Sequence, residues 1–188
     1  EYSGLIVDIG QWVLRNACHR QTCLEKAGFA GFRMAVNVSI AQFRHPQFID
    51  VLKQALADTG INPALLELEI TESMAMLEPD YVIGVIRTVK TLGVSVAVDD
   101  FGTGFSSLSY LQRLDVDRLK IDRGFVNAIR GPAQTTECIA QTVIQLGRNL
   151  GLTVIAEGVE TDTQARLLKQ MGCHEAQGYL FAYPMDST

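Results

Sequence analysis

Six short apolar stretches, each closed by a polar or charged residue, recur along this chain with helical periodicity between them. That alternation constrains the fold more than any other feature. Val94, Val96 and Val98 alternate with Ser95, Ala97 and Asp99, the period-two pattern of a strand. The same reading gives strands over Arg33 to Val38, Leu66 to Ile70, Arg118 to Ile121, Thr153 to Glu157 and Glu175 to Gln177. Between and around them the periodicity predicts helices over Ile6 to Gly28, Gln47 to Thr59, Asp80 to Leu92, Ser107 to Arg113, Thr135 to Leu150 and Thr161 to Met171. In the first of these, Ile9, Trp12, Val13 and Ala17 fall at helical spacing, which assigns Trp12 to the core.

Strands that alternate with helices imply a parallel sheet, because parallel neighbours need crossover connections. An open dinucleotide-binding sheet wants a glycine-rich turn after its first strand, and Asn37-Val38-Ser39 is not one. A barrel predicts polar groups at the C-terminal ends of successive strands, and Asn37, Glu69, Asp99, Lys120, Glu157 and Gln177 close the six strands. The expected fold is therefore α/β, a (β/α)8 barrel of the TIM type. Such a barrel takes about 250 residues and the chain has 188, so about two strands are expected upstream of Glu1, with residues 1–188 forming one domain.

Composition narrows the function. A net charge of −5 and a pI near 5.2 argue against a protein that grips duplex nucleic acid through a basic face. An anionic ligand then needs metals or a local cation. Cys18, Cys23, Cys138 and Cys173 have neither zinc-site spacing nor the density of a disulfide scaffold, and read as reduced thiols of a cytoplasmic protein. No apolar run reaches the ~18 residues of a membrane span, although a longer parent protein is free to carry an anchor.

Barrel strands converge, so polar residues at their ends face a common cup. Asn37, Glu69, Asp99, Asp100 and Glu157 form an oxygen-rich set that suits Mg²⁺ or Mn²⁺ better than zinc or copper. An arrangement of this kind fits a two-metal centre for phosphate-ester hydrolysis, with Lys120 as the cation that orients the attacking water or offsets phosphoryl charge. The competing reading is a network of structural ion pairs among Glu67, Glu69, Arg118 and Lys120; burying so many acids without a cation is costly. Glu72 and Glu160 read either as residues that brace the metal ligands or as helix N-terminal acids. Asp100-Phe101-Gly102 matches the kinase metal-binding tripeptide, but the other kinase motifs are absent.

Taken in order, Asn37-Val38-Ser39, Glu69-Ile70-Thr71-Glu72-Ser73, Asp99-Asp100-Phe101-Gly102-Thr103-Gly104, Lys120-Ile121-Asp122, Glu157-Gly158-Val159-Glu160 and Gln177-Gly178-Tyr179 resemble the EAL domain, the cyclic di-GMP phosphodiesterase domain of bacterial signalling proteins. The resemblance covers essentially the whole chain. It implies a barrel holding two Mg²⁺ or Mn²⁺ ions and hydrolysis of cyclic di-GMP to linear pGpG. By carry-over, Asn37, Glu69, Asp99 and Asp100 ligate metal, Lys120 positions the water, and Glu157 is a ligand or base. Gln177 and Tyr179 meet metal-bound water or the guanine side. Glu72 braces the loop from Phe101 to Ser107, which in the family couples metal binding to dimer formation through the loop and helix after Asp100. The motif that names the family, Glu-Ala-Leu, belongs to a strand expected roughly 20 residues upstream, about one βα unit. The resemblance also allows sensor or GGDEF-type domains in a longer parent. Two other functions fit the same pattern: a catalytically inactive receptor or regulatory module for the dinucleotide, and a glycosidase, which the low aromatic content of 7% disfavours.

Overall fold

The fold rests on short parallel strands that alternate with helices, in a computed structural model that describes residues 5–76, 78–104, 108–129 and 135–185. The chain divides into two compact units, Glu1–Ala97 with Leu108–Val116, and Val98–Ser107 with Asp117–Thr188.

In the first unit the elements are α1 (Leu5–Lys26), β1 (Met34–Asn37), α2 (Ile40–Phe43), α3 (Phe48–Thr59), β2 (Leu66–Thr71), α4 (Glu72–Met76), α5 (Pro79–Thr91), the opening residues of β3 (Ser95–Phe101), and α6 (Leu108–Leu111). β1 and β2 are parallel, with Met34 opposite Leu66 and Asn37 opposite Glu69. Leu66 to Ile70 are buried without alternation, as in a parallel strand covered on both faces. Local chemistry sets the boundaries. Ser39 caps α2 in a reciprocal box with Gln42, Pro79 supplies the first turn of α5, and Gly60 ends α3 at φ 65°.

Against expectation, Trp12 is 65% exposed and Ile9 51%. The buried stripe of α1 is Gly10, Leu14, Cys18 and Gln21, turned toward β1, α2 and α3. Gly10 explains the choice: the Gln42 amide occupies the space that a side chain there would fill, so a small residue, not the bulkiest, marks the packed face.

The second unit takes up β3 from Val98 and continues with β4 (Arg118–Ile121), α7 (Arg123–Asn127), α8 (Thr135–Asn149), β5 (Thr153–Ala156), α9 (Asp162–Met171) and β6 (Glu175–Ala176). β4, β5 and β6 are parallel in that order; Lys120 lies opposite Ile155, and Ile155 opposite Glu175. α8 packs on β4 and β5, where Gly147 lets the helix backbone approach Val154 and Leu119. A Thr161–Gln164 box opens α9, and Gln164 Nε2 also donates to the Val126 carbonyl at 3.2 Å.

The predicted strands and long helices are present with shifted ends. β3 runs to Phe101, two residues past Asp99, and Glu157 and Gln177 stand just beyond β5 and β6. The short helices α2, α4 and α7 were not expected; at four or five residues they are too brief to show a helical period. Ser107, placed at the start of the helix now seen as α6, lies outside the described residues. Cys18, Cys23 and Cys173 are free thiols, while the Cys138 side chain is outside the description. Among the described residues no helix is long and apolar enough to cross a membrane.

Leu52, fully buried on α3, and the exposed Trp12 give the packing a direct check. Leu52→Ala is expected to cost about 2–5 kcal/mol in urea unfolding, whereas Trp12→Ala stays within about 0.5 kcal/mol.

Candidate functional site

A regular strand sends successive side chains to opposite faces, so neighbouring aspartates would normally diverge. Asp100 breaks the alternation by adopting φ 53°, a left-handed conformation costing roughly 1–2 kcal/mol in a non-glycine residue. Its N–H donates to Asp99 Oδ1 at 2.9 Å, and Thr103 Oγ1 donates to its carbonyl at 2.9 Å. Gly102 follows at φ 101°; a Cβ there would lie 2.7 Å from the Phe125 ring, so the turn is tight as well as left-handed. Its consequence is convergence: carboxylate oxygens of Asp99, Asp100 and Glu157 lie within 4.8 Å of one another.

Lys120 anchors the cluster. It is 3% exposed, and its Nζ lies 3.1 Å from Asp99 Oδ2 and 2.7 Å from Glu157 Oε1. Gln177 Nε2 donates to the same Glu157 oxygen at 2.6 Å. Arg118, on the same strand as Lys120, lies 3.8 Å from the Glu175 carboxylate. Burial, then the neighbouring Asp99 and Asp122 carboxylates, pushes the Asp100 carboxyl above the usual carboxylate range, with Lys120 and Arg123 opposing the shift. A divalent cation relieves that crowding, and three clustered carboxylates are a donor set for a hard ion.

The loops after β5 and β6 are zipped together by backbone. Gln177 N–H donates to the Ala156 carbonyl, Val159 N–H to the Gln177 carbonyl, and Leu180 N–H to the Val159 carbonyl. Gly178, at φ 154°, lies so near the Val159 backbone that no side chain fits. That contact carries Gln177 to Glu157. Beyond it a cavity of about 440 Å³ is lined by Arg123, Glu157, Glu160, Gln177, Tyr179 and Tyr183, among others, with the two tyrosine rings stacked at 4.6 Å.

Of the residues singled out from sequence, Asp99, Asp100, Lys120, Glu157 and Gln177 come together, and Tyr179 and Glu160 line the adjoining cavity. Glu160 donates its N–H to Gln164 Oε1 at 2.9 Å and presents an exposed side chain. In the first unit Asn37 and Glu69 stand side by side on paired strands, and Glu67, Glu69 and Glu72 are 2%, 6% and 1% exposed. Phe105 to Ser107, the far part of the loop assigned to Glu72, lies outside the described residues. Arg123 and Tyr183 were not anticipated. Arg123 was signalled only by its position after Lys120-Ile121-Asp122, and Tyr183 only by its four-residue spacing from Tyr179.

The EAL domain family model matches residues 1–184. The bifunctional diguanylate cyclase/cyclic di-GMP phosphodiesterase MucR of Pseudomonas aeruginosa is 42% identical over 187 residues, covering 100% of this chain and 27% of that protein. The solved PaMucR phosphodiesterase in its c-di-GMP complex matches with a TM-score of 0.96 at 42% identity, over 100% of this chain and 75% of that one. The manganese/c-di-GMP complex of Klebsiella pneumoniae BlrP1 matches at 0.81 and 29% identity, over 94% and 45%. The fold is that of these structures, a parallel (β/α)-barrel type, as the strand pattern predicted. The chain spans about a quarter of the length of the first curated relative.

If the carboxylate cluster holds a cation, Mn²⁺ titration by calorimetry is expected to show binding that Asp99→Asn abolishes. Gln177→Leu, which frees Glu157 from its neighbour, is expected to weaken that binding about 10–100-fold; unchanged affinity in both variants counts against the site.

Proposed function

The chain belongs to the EAL domain family, and on that premise we propose that it hydrolyses one phosphodiester of cyclic di-GMP to give linear pGpG, as the phosphodiesterase part of a longer bacterial signalling protein. The observation that carries this reading is the convergence of Asp99, Asp100 and Glu157 around a buried lysine. Relatives named as cyclic di-GMP phosphodiesterases support it.

In this reading Asp99, Asp100 and Glu157, together with Asn37 and Glu69, hold two divalent ions, Mg²⁺ or Mn²⁺. When bound, such ions offset phosphoryl charge and make water a better nucleophile. The chain's own residues supply the rest. Lys120 Nζ, fixed by Asp99 and Glu157, keeps a positive charge beside the reacting oxygens and orients the water. Glu157 is the proton acceptor, and Gln177 holds its carboxylate in one orientation by donating to Oε1. Tyr179 contacts the guanine side. Glu72 braces the loop after Asp100, through which, with α6, two copies pair. Glu160 borders the cavity that receives the rest of the substrate.

The test is turnover of cyclic di-GMP by the full natural protein, followed by chromatography of pGpG. Activity is expected with Mg²⁺ or Mn²⁺, is lost on EDTA treatment and returns when metal is added back. Lys120→Met is expected to lower kcat about 10²–10³-fold, the range for removing one preorganised electrostatic group. Tight binding of the dinucleotide without any cleavage would instead identify a receptor.

A further inference from the structure

The cavity beside Glu157 has a wall of mixed chemistry that metal binding does not use. Tyr179 and Tyr183 stack at 4.6 Å and remain 54% and 68% exposed, offering flat apolar surface. Arg123 opens α7 on the same cavity. Its stem lies across Gly158, where a Cβ would come within 2.7 Å of Arg123 Cβ, so the arginine is seated against the residue that follows Glu157. Asp122, its neighbour in sequence, is engaged in capping α7 through Gly124 N–H at 2.8 Å. Among the described residues Arg123 forms no ion pair, although Glu157 and Glu160 line the same cavity.

Flat aromatic faces beside a guanidinium suit a nucleobase better than a phosphate alone. A guanidinium presents two parallel N–H donors, which match the adjacent O6 and N7 acceptors of guanine; adenine offers an amino donor in place of O6. Resting on the phosphodiesterase reading above, the geometry points to Arg123 as a specificity-determining residue that reads the O6/N7 edge of one guanine of the cyclic dinucleotide. Arg123 thereby selects guanine over adenine while taking no part in bond cleavage.

The experiment compares the full natural protein with Arg123→Gln and Arg123→Lys, using cyclic di-GMP as substrate, cyclic di-AMP as competing ligand and bis(p-nitrophenyl) phosphate as a substrate without bases. In Arg123→Gln, KM for cyclic di-GMP is expected to rise about tenfold, within the discrimination that a bidentate contact provides. The kcat, the inhibition constant of cyclic di-AMP and the rate on bis(p-nitrophenyl) phosphate are expected to stay within about twofold. Arg123→Lys keeps the charge without the fork and is expected to behave like the glutamine variant; full recovery by lysine overturns the inference in favour of a simple charge contact. An equal loss on bis(p-nitrophenyl) phosphate also overturns it, because that loss reports a disturbed Gly158 and Glu157. Hydrolysis of the small ester with no turnover of cyclic di-GMP in the unmodified protein is a separate result, which removes the proposed function itself.

Discussion

A lysine ammonium buried between two carboxylates is the interaction on which the site depends. Lys120 is held by Asp99 from β3 and Glu157 from the end of β5, and the β4–β5 register that places Lys120 opposite Ile155 brings Glu157 within reach. An isolated charge in such a position is penalised by several kcal/mol, so these groups stabilise one another only as a set. The same arrangement constrains chemistry. With three acids against one lysine, the cluster retains excess negative charge, which a divalent cation offsets and an anionic substrate alone would increase.

Much of that set was legible in the sequence because strand ends in a parallel βα succession are recurrent positions. Asp99, Lys120, Glu157 and Gln177 each follow an apolar run, and the crossover rule brings those ends to one side. What sequence pattern could not show was the backbone at Asp100. Period-two alternation predicts divergent carboxylates, and only the left-handed φ of Asp100 with the Gly102 turn reverses that prediction.

Trp12 shows a different limit. Helical spacing identified an apolar stripe on α1, but a helix can carry two, and hydrophobic size does not say which one is packed. Gly10 decides, through the close approach of Gln42, a contact between residues 32 positions apart that no local window contains. Arg123 carries little sequence signal for the opposite reason. Its neighbours Lys120 and Asp122 carried the recognisable chemistry, and the role of an exposed arginine is defined only by the cavity it borders.

The precision of the site comes more from backbone than from side chains. Gln177 belongs to a loop that follows a two-residue strand, too short to fix a side chain by sheet pairing alone. Its position is instead set by three consecutive contacts with the end of β5 and the loop after it: Gln177 N–H to Ala156, Val159 N–H to Gln177, and Leu180 N–H to Val159. Those bonds require the chains to approach closer than any Cβ permits, at Gly178 against Val159, and Gly158 similarly admits the stem of Arg123. The two glycines thus act by omitting volume. A backbone fixed this way orients Gln177 on Glu157, Glu157 on Lys120, and the arginine beside the cavity in a single arrangement, so the amide, carboxylate and ammonium are positioned before any ligand arrives.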